Sequence, residues 1–179
     1  MFSSIGLCTI AFLGGASIPA TPTWMTDYGQ AVQAGKKAGK PLAVFVSSGA
    51  DGYQQVSRGG TLGSETRALL AKAYVCVYAD TTQPAGMRLA QALEIANGRG
   101  LVISDRTGQS QAFHYVGQLS ETELTRNLER FANIDNVRTT ESNAGSRVSY
   151  YPGYSGAGYG SATPAYQPAI QFRSSGRSC

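Results

Sequence analysis

The sequence contains few side chains that could perform covalent or metal chemistry. Its 179 residues include three cysteines and one histidine. Cys8, Cys76 and Cys179 are too far apart for a Cys-x-x-Cys motif or a Cys/His cluster, so the usual motifs of structural zinc, haem attachment and dithiol redox chemistry are missing. The sequence also lacks a phosphate-binding loop and a Gly-x-Ser-x-Gly hydrolase motif. We therefore expect neither a metal nor a cofactor.

The remaining reactive groups are single thiols and one imidazole. Cys76 lies in an apolar segment of strand length, so we expect a buried and inert thiol. Cys179 follows a polar, glycine-rich segment, where a thiol could react or form an intermolecular disulfide. His114 stands between Phe113 and Tyr115 with no nucleophile or carboxylate near it in sequence. We expect it to face solvent from a strand.

The hydrophobic pattern between residues 24 and 133 predicts the elements that would position these groups. Helices are expected at about 27–38, 64–73, 85–96 and 120–131, and strands at 42–46, 74–79, 101–103 and 111–116. The first two strands are apolar throughout, which is typical of parallel strands buried on both faces. Turn residues between the last two predict a hairpin. This order predicts an α/β fold with a mixed sheet of four to five strands and helices on both faces.

Capping signals support several of the helix ends. Asp27 and Gly39 are placed to cap the first helix, and Ser64 is expected to cap the second. Ser120 and Glu123 have the spacing of a capping box, in which each side chain bonds to the other residue's backbone amide. The last helix is therefore expected to begin just after Ser120.

Two segments lie outside this predicted domain. Residues 1–20 resemble a signal peptide in their apolar stretch and small residues but have no Lys or Arg before that stretch. We expect a secreted or periplasmic protein, with a cytoplasmic location as the alternative, and no integral membrane span after cleavage. Residues 134–179 are predicted to be a linker and a disordered low-complexity tail, rich in Gly, Ser, Pro and Tyr.

The net charge of +4 is spread along the chain. Residues 24–133 carry 11 basic and 9 acidic side chains, and residues 134–179 carry 4 and 2. Neither part has the basic patch that nucleic-acid binding requires. We therefore expect no nucleic-acid partner.

A series of short motifs in residues 24–133 carries a family resemblance. Trp24 and Asp27-Tyr28 precede the segment A-G-K-K-A-G-K-P-L-A-V-F-V at residues 34–46. Further matching segments follow in the same order, at 74–80, 100–108 and 113–119. Together they resemble the secreted thioredoxin-like domains of the thioredoxin/DsbD C-terminal type. The resemblance implies a thioredoxin-like three-layer sandwich over residues 24–133.

The resemblance also implies where a redox dithiol would lie, which is directly after the first central strand. Here the four positions are Ala50, Asp51, Gly52 and Tyr53, and none of them is a cysteine. Gly100 occupies the place of the family's cis-proline. We therefore expect no thiol–disulfide oxidoreductase activity. The groove at this strand end, where α/β folds usually bind ligands, could still hold a peptide or protein partner.

Three functional hypotheses follow. The leading one is a non-catalytic thioredoxin-like binding or structural module of the cell envelope or exterior. One alternative is a single-thiol redox carrier that uses Cys76 or Cys179. Another is an assembly or adhesion protein acting through the tail, which holds five of the ten tyrosines: Tyr150, Tyr151, Tyr154, Tyr159 and Tyr166.

Overall fold

The computed structural model describes residues 21–95, 98–108, 110–135, 137 and 139–143, and the backbone of 147–148. The elements, in chain order, are β1 (Trp24–Met25), α1 (Tyr28–Ala38), β2 (Leu42–Ser47), a 3-10 helix (Gly52–Val56), α2 (Ser64–Ala73), β3 (Val75–Asp80), α3 (Pro84–Ala92), β4 (Gly100–Ser104), β5 (Gln111–Val116), α4 (Glu121–Phe131), β6 (Thr139–Ser142) and β7 (Arg147–Val148). Within these described ranges, no helix has the length and apolarity needed to cross a membrane.

The strands form one mixed sheet. Six of them have the order β1-β3-β2-β4-β5-β6, and the two-residue β7 extends the sheet by antiparallel pairing with β6. β3 runs parallel to both β1 and β2, β4 runs antiparallel to β2 and β5, and β6 runs parallel to β5. The predicted α/β class, the early parallel pair and the late hairpin are confirmed.

The prediction of four to five strands is wrong. β1 has only two residues, and β6 has the polar sequence Thr-Thr-Glu-Ser, so neither shows an apolar run. β6 is held by pairing with β5 and by the Thr140 hydroxyl, which donates a hydrogen bond to Gln111 O at 2.8 Å. The sheet therefore continues into the segment that the sequence predicts to be a linker.

Several predictions concern parts of the chain outside the described residues. They are the signal peptide at residues 1–20, Cys179 and the tyrosine-rich part of the tail from residue 149 onward.

Helices cover both faces of the sheet, so β2 is buried on both sides. Its six residues are all buried, which confirms the predicted burial of residues 42–46 and adds Ser47, and alternate apolar residues belong to different clusters. One cluster joins the sheet to α2 and α4 through Phe45, Leu70, Leu101, Leu124 and Leu128, among others. The other joins the sheet to α1 and α3 through Val44, Ala31, Val32, Leu89 and Val102, among others.

The ends of α1 and the start of α4 agree with their predicted caps. The Asp27 side chain accepts a hydrogen bond from the Gln30 amide at 2.9 Å. Gly39 ends α1 in the left-handed conformation, with φ of 62°, which costs glycine little. Ser120 and Glu123 form the predicted capping box. These caps are local, so neighbouring residues suffice to specify them.

The start of α2 differs from its prediction. Ser64 is the first helical residue, and the cap position is Gly63, which has no side chain to offer. The Glu121 carboxylate of α4 takes that role, accepting hydrogen bonds from the Gly63 amide at 2.8 Å and the Thr66 hydroxyl at 2.5 Å. A negative charge at a helix N-terminus is favourable because the free amides carry partial positive charge.

Candidate functional site

Four chain segments meet at one edge of the sheet. β2 and β3 end there, with Ser47 paired to Asp80, and β4 begins there, with Gly100 between Val46 and Val116. We call this the strand-end edge; it comprises residues 47–57, 80–82, 98–100 and 116–119.

The four dithiol positions implied by the resemblance lie on the strand-end edge. Ala50 and Asp51 are exposed, Gly52 is the buried first residue of the 3-10 helix, and Tyr53 is half-buried. A shallow depression of about 290 Å³ is lined by Ser48, Gly49, Ala50, Asp51, Gly52, Gln54, Gln55 and Gly60. The depression offers backbone groups and amide side chains to a ligand.

Asp80 holds the loop after β2 from the end of the neighbouring strand. Its Oδ1 accepts hydrogen bonds from the Gly49 amide at 2.9 Å, the Thr82 amide at 3.0 Å and the Thr82 hydroxyl at 2.8 Å. The Thr82 amide lowers the pKa of Asp80 most, and the Thr82 hydroxyl and the Gly49 amide lower it further. Sequence reasoning missed this role, although an Asp at a strand end with Thr two residues later is a local turn signal.

Tyr78, on β3, holds the same loop. Its hydroxyl donates a hydrogen bond to Gly49 O at 2.5 Å, and burial, with a smaller effect of the nearby Asp80 charge, raises the pKa of Tyr78 to about 12. A Cβ at Gly52 would collide with this hydroxyl. Gly52 is thus a glycine because the tyrosine occupies the space of a side chain.

Tyr53, in the second of the two implied thiol positions, has a packing role. Its ring stacks on Trp24 with centroids 4.4 Å apart and meets the Tyr78 ring edge-on at 5.7 Å. Trp24 in turn meets Phe45 edge-on at 5.0 Å. These aromatic contacts join the 3-10 helix to β1 and to the core.

Gly100 also has a steric reason to be glycine. It is buried at the start of β4, where a Cβ would meet Tyr115 O and come within 3.1 Å of the Ile95 side chain. A proline in the same backbone position would place its own Cβ against these atoms. The close approach of β4 to β5 therefore favours glycine at this position.

A polar network, missed by sequence reasoning, connects the 3-10 helix to the far side of the strand-end edge. The Arg99 Nη2 donates to Gln55 Oε1 at 2.9 Å, and the Gln118 side-chain amide donates to Gln55 O at 2.8 Å. The Gly117 amide donates to Arg99 O at 3.0 Å. Gln55 therefore lies in the depression and is held from two sides.

Cys76 lies away from this edge, inside β3. It is 2 % exposed, which confirms the predicted burial, and its Sγ is 3.8 Å from Leu70 O. Burial raises the pKa of Cys76 to about 12, against a smaller lowering effect of Lys40. The thiol is therefore protonated at neutral pH and is a weak nucleophile.

His114 does not face solvent as predicted. It is 2 % exposed, with Nε2 2.9 Å from Leu93 O and Nδ1 3.1 Å from the Ser142 hydroxyl. The prediction is wrong because β6 pairs with β5 alongside His114, and β6 has no apolar signature. Burial lowers the pKa of His114, so the neutral imidazole is the favoured form.

A second hollow, of about 440 Å³, lies at the opposite edge of the sheet. Its lining residues are Ala38, Gly39, Lys40, Leu69, Lys72, Ala73, Arg106, Glu129, Ala132 and Asn133. The Arg106 Nε already donates to Gly39 O at 3.0 Å and lies 3.9 Å from the Asp135 carboxylate. Its charge therefore has a protein partner, unlike that of Arg99.

Metal-ligating side chains are scattered in the described part of the chain, which contains no group of three His, Cys, Asp or Glu that could hold an ion. Comparison with known proteins adds no assignment: no protein-family model matches the sequence, and no curated protein matches it.

Proposed function

We propose that this chain is a thioredoxin-like binding module that lacks thiol–disulfide oxidoreductase activity and holds a peptide segment of a partner at the strand-end edge. The sheet order, the parallel β2 and β3, the antiparallel β4 and β5 and the helices on both faces support the thioredoxin-like part of this proposal. The family resemblance of residues 24–133 supports it independently.

The observation that carries the proposal is the loop at Ala50–Tyr53. Here the family has its two thiols, and this chain has an exposed methyl group at Ala50 and a packed aromatic ring at Tyr53. The loop keeps its shape through Tyr78 and Asp80, so the depression persists without the redox groups. A preformed depression with backbone donors and acceptors suits an extended peptide.

The redox part is tested by insulin reduction with dithiothreitol. We expect the purified protein to add nothing to the rate of dithiothreitol alone. Turnover that disappears in a Cys76→Ser variant would overturn the proposal and favour the single-thiol alternative. Cys179→Ser, assayed in parallel, separates the two thiols.

The binding part is tested by NMR titration of the full chain with a pool of pentapeptides. Each peptide is acetylated at its amino terminus and has random uncharged residues at its first four positions. Its fifth residue is Gln or Glu. We expect amide shifts to change at the strand-end edge and to be abolished by Ala50→Phe, which fills the depression from an exposed position. Ala38→Phe is the matched control, since Ala38 is also exposed but lines the opposite hollow. Equal binding by both variants would exclude the depression as the site.

We further propose export of this protein to the periplasm or exterior with residues 1–20 as its signal peptide. Amino-terminal sequencing of the protein recovered from that compartment is expected to begin after the small residues near Ala20. Recovery from the cytoplasm with Met1 still present would contradict this location.

A further inference from the structure

Arg99 stands out as a charged side chain whose hydrogen-bonding capacity is largely unused. It precedes β4 and is only partly exposed, and its Nη2 donates to Gln55 Oε1 at 2.9 Å. Its Nε is buried and has no hydrogen-bond partner. A buried donor without an acceptor is unfavourable, but the Nε atom is closed to solvent, so a ligand can approach only the terminal nitrogens Nη1 and Nη2.

Arg99 also lacks a counter-charge. Arg106 pairs with Asp135 and Arg130 pairs with Glu141, whereas no described carboxylate lies within 4.0 Å of Arg99. A guanidinium that is partly removed from water is stabilised by an anion in hydrogen-bond contact. An anionic ligand group would supply that contact.

The position of Arg99 is fixed before any ligand binds. Its carbonyl accepts a hydrogen bond from the Gly117 amide, and its side chain is held by Gln55, whose own carbonyl is bonded by Gln118. Gln55 lines the depression at the strand-end edge. The guanidinium is therefore held beside the space where the proposed peptide would lie, and little side-chain entropy remains to be lost on binding.

We propose that Arg99 binds a carboxylate of the peptide held at the strand-end edge. This inference rests on the proposed function and names the chemical group that the site recognises. The planar guanidinium matches a carboxylate in shape and charge, and an Asp or Glu side chain or a carboxyl terminus could provide it. Asp51 also lines the depression, so like-charge repulsion directs the carboxylate to the side of Arg99.

The experiment uses three versions of the same degenerate pentapeptide pool and the full chain. One pool ends in Glu amide, one in Gln with a free carboxyl terminus and one in Gln amide, so they carry a side-chain carboxylate, a terminal carboxylate and none. We expect one of the two carboxylate pools to bind at least tenfold more tightly than the neutral pool in NMR titrations. Which of them binds more tightly identifies the source of the carboxylate.

Arg99→Gln is expected to remove this preference, so that the three pools bind to the variant with equal affinity. Arg99→Lys keeps the positive charge but loses the planar guanidinium with its parallel donors, so this variant should retain part of the preference. Arg58→Gln is the matched control, because Arg58 is an exposed arginine next to the same edge, where its Nε donates to Gln118 O. The amide spectrum of each variant verifies its fold.

The outcomes distinguish the role of Arg99 from peptide binding at the strand-end edge. Equal binding of all three pools by the unmodified chain, or an equal loss in Arg58→Gln and Arg99→Gln, would overturn the role of Arg99 and leave peptide binding intact. Absence of binding by every pool would overturn the proposed function and this inference together.

Discussion

β2 and the loop that follows it are adjacent in sequence but are held by different forces. Every residue of β2 is buried, and packing from both faces holds it in place. The loop has exposed residues at Ala50 and Asp51 and is held by hydrogen bonds from Tyr78 and Asp80. The contacts that shape the loop come from β3, so the side chains at the loop surface can change without loss of the fold. The geometry of the loop therefore does not depend on which side chains occupy its exposed positions.

The largest effect is expected from a cavity in the strand. Phe45 is fully buried, so Phe45→Ala should lower the free energy of unfolding by about 3–5 kcal/mol. Asp51→Ala, at an exposed loop position, should change it by no more than about 0.5 kcal/mol. Urea unfolding measures both. Similar losses in the two variants would show that packing does not distinguish the strand from the loop.

The next effect is expected where strand and loop meet. Gly52→Ala pushes a methyl group against the Tyr78 hydroxyl and should cost about 1–3 kcal/mol. Tyr78→Phe removes that hydroxyl, so the double variant should be more stable than the sum of the two single losses predicts. Strict additivity in a double-mutant cycle would mean that the two residues do not compete for this space.

A smaller effect is expected from the buried imidazole, a polar group within the core. Because burial lowers the pKa of His114 below its usual 6.5, the unfolded chain binds a proton more readily than the folded chain. The contribution of the neutral His114 imidazole to the free energy of unfolding should be fully present above about pH 6.5. It should be lost as the pH falls through the pKa of His114 in the folded chain. His114 is the only histidine, so urea unfolding between pH 7.5 and 5.5 isolates it. A His114→Gln variant with the same slope would contradict this assignment.

The smallest effect is expected from Asp80, which is partly exposed. Asp80→Asn keeps one acceptor oxygen but loses the charge, so the loss should not exceed about 1 kcal/mol. The pKa of Asp80 is lowered in the fold, so its contribution is present above its usual value of 3.8 and lost as the pH falls through the folded pKa. The unfolding free energies of the two proteins should therefore converge at low pH. A constant difference would exclude a role for the charge.

The parts of the fold that the sequence predicts well depend on neighbouring residues. The burial of β2 follows from its apolar run, and the start of α4 follows from Ser120 and Glu123, three positions apart. The burial of Cys76 follows from the apolar run at residues 74–79. In each case the signal and the structure that it predicts lie within one element.

The features that were missed depend on contacts between distant residues. His114 is covered by a strand that contributes Ser142, 28 positions away, and Arg99 is positioned by Gln55, 44 positions away. β6 itself is polar and is held by its neighbour, so no periodicity marks it. The position of the loop residues follows from the end of β2, but their supporting groups, Tyr78 and Asp80 on β3 and Arg99 just before β4, have no signal in the sequence around the loop.

The cap of α2 has a consequence for the order of folding. The carboxylate that satisfies the Gly63 amide belongs to Glu121, 58 positions later in the chain, at the first turn of α4. During synthesis the ribosome has not yet released α4 when α2 emerges, so the Gly63 amide at the start of α2 lacks its carboxylate partner. We therefore expect this amide to become protected from hydrogen exchange only when α4 docks, and to exchange with the opening of α4 when the native state fluctuates.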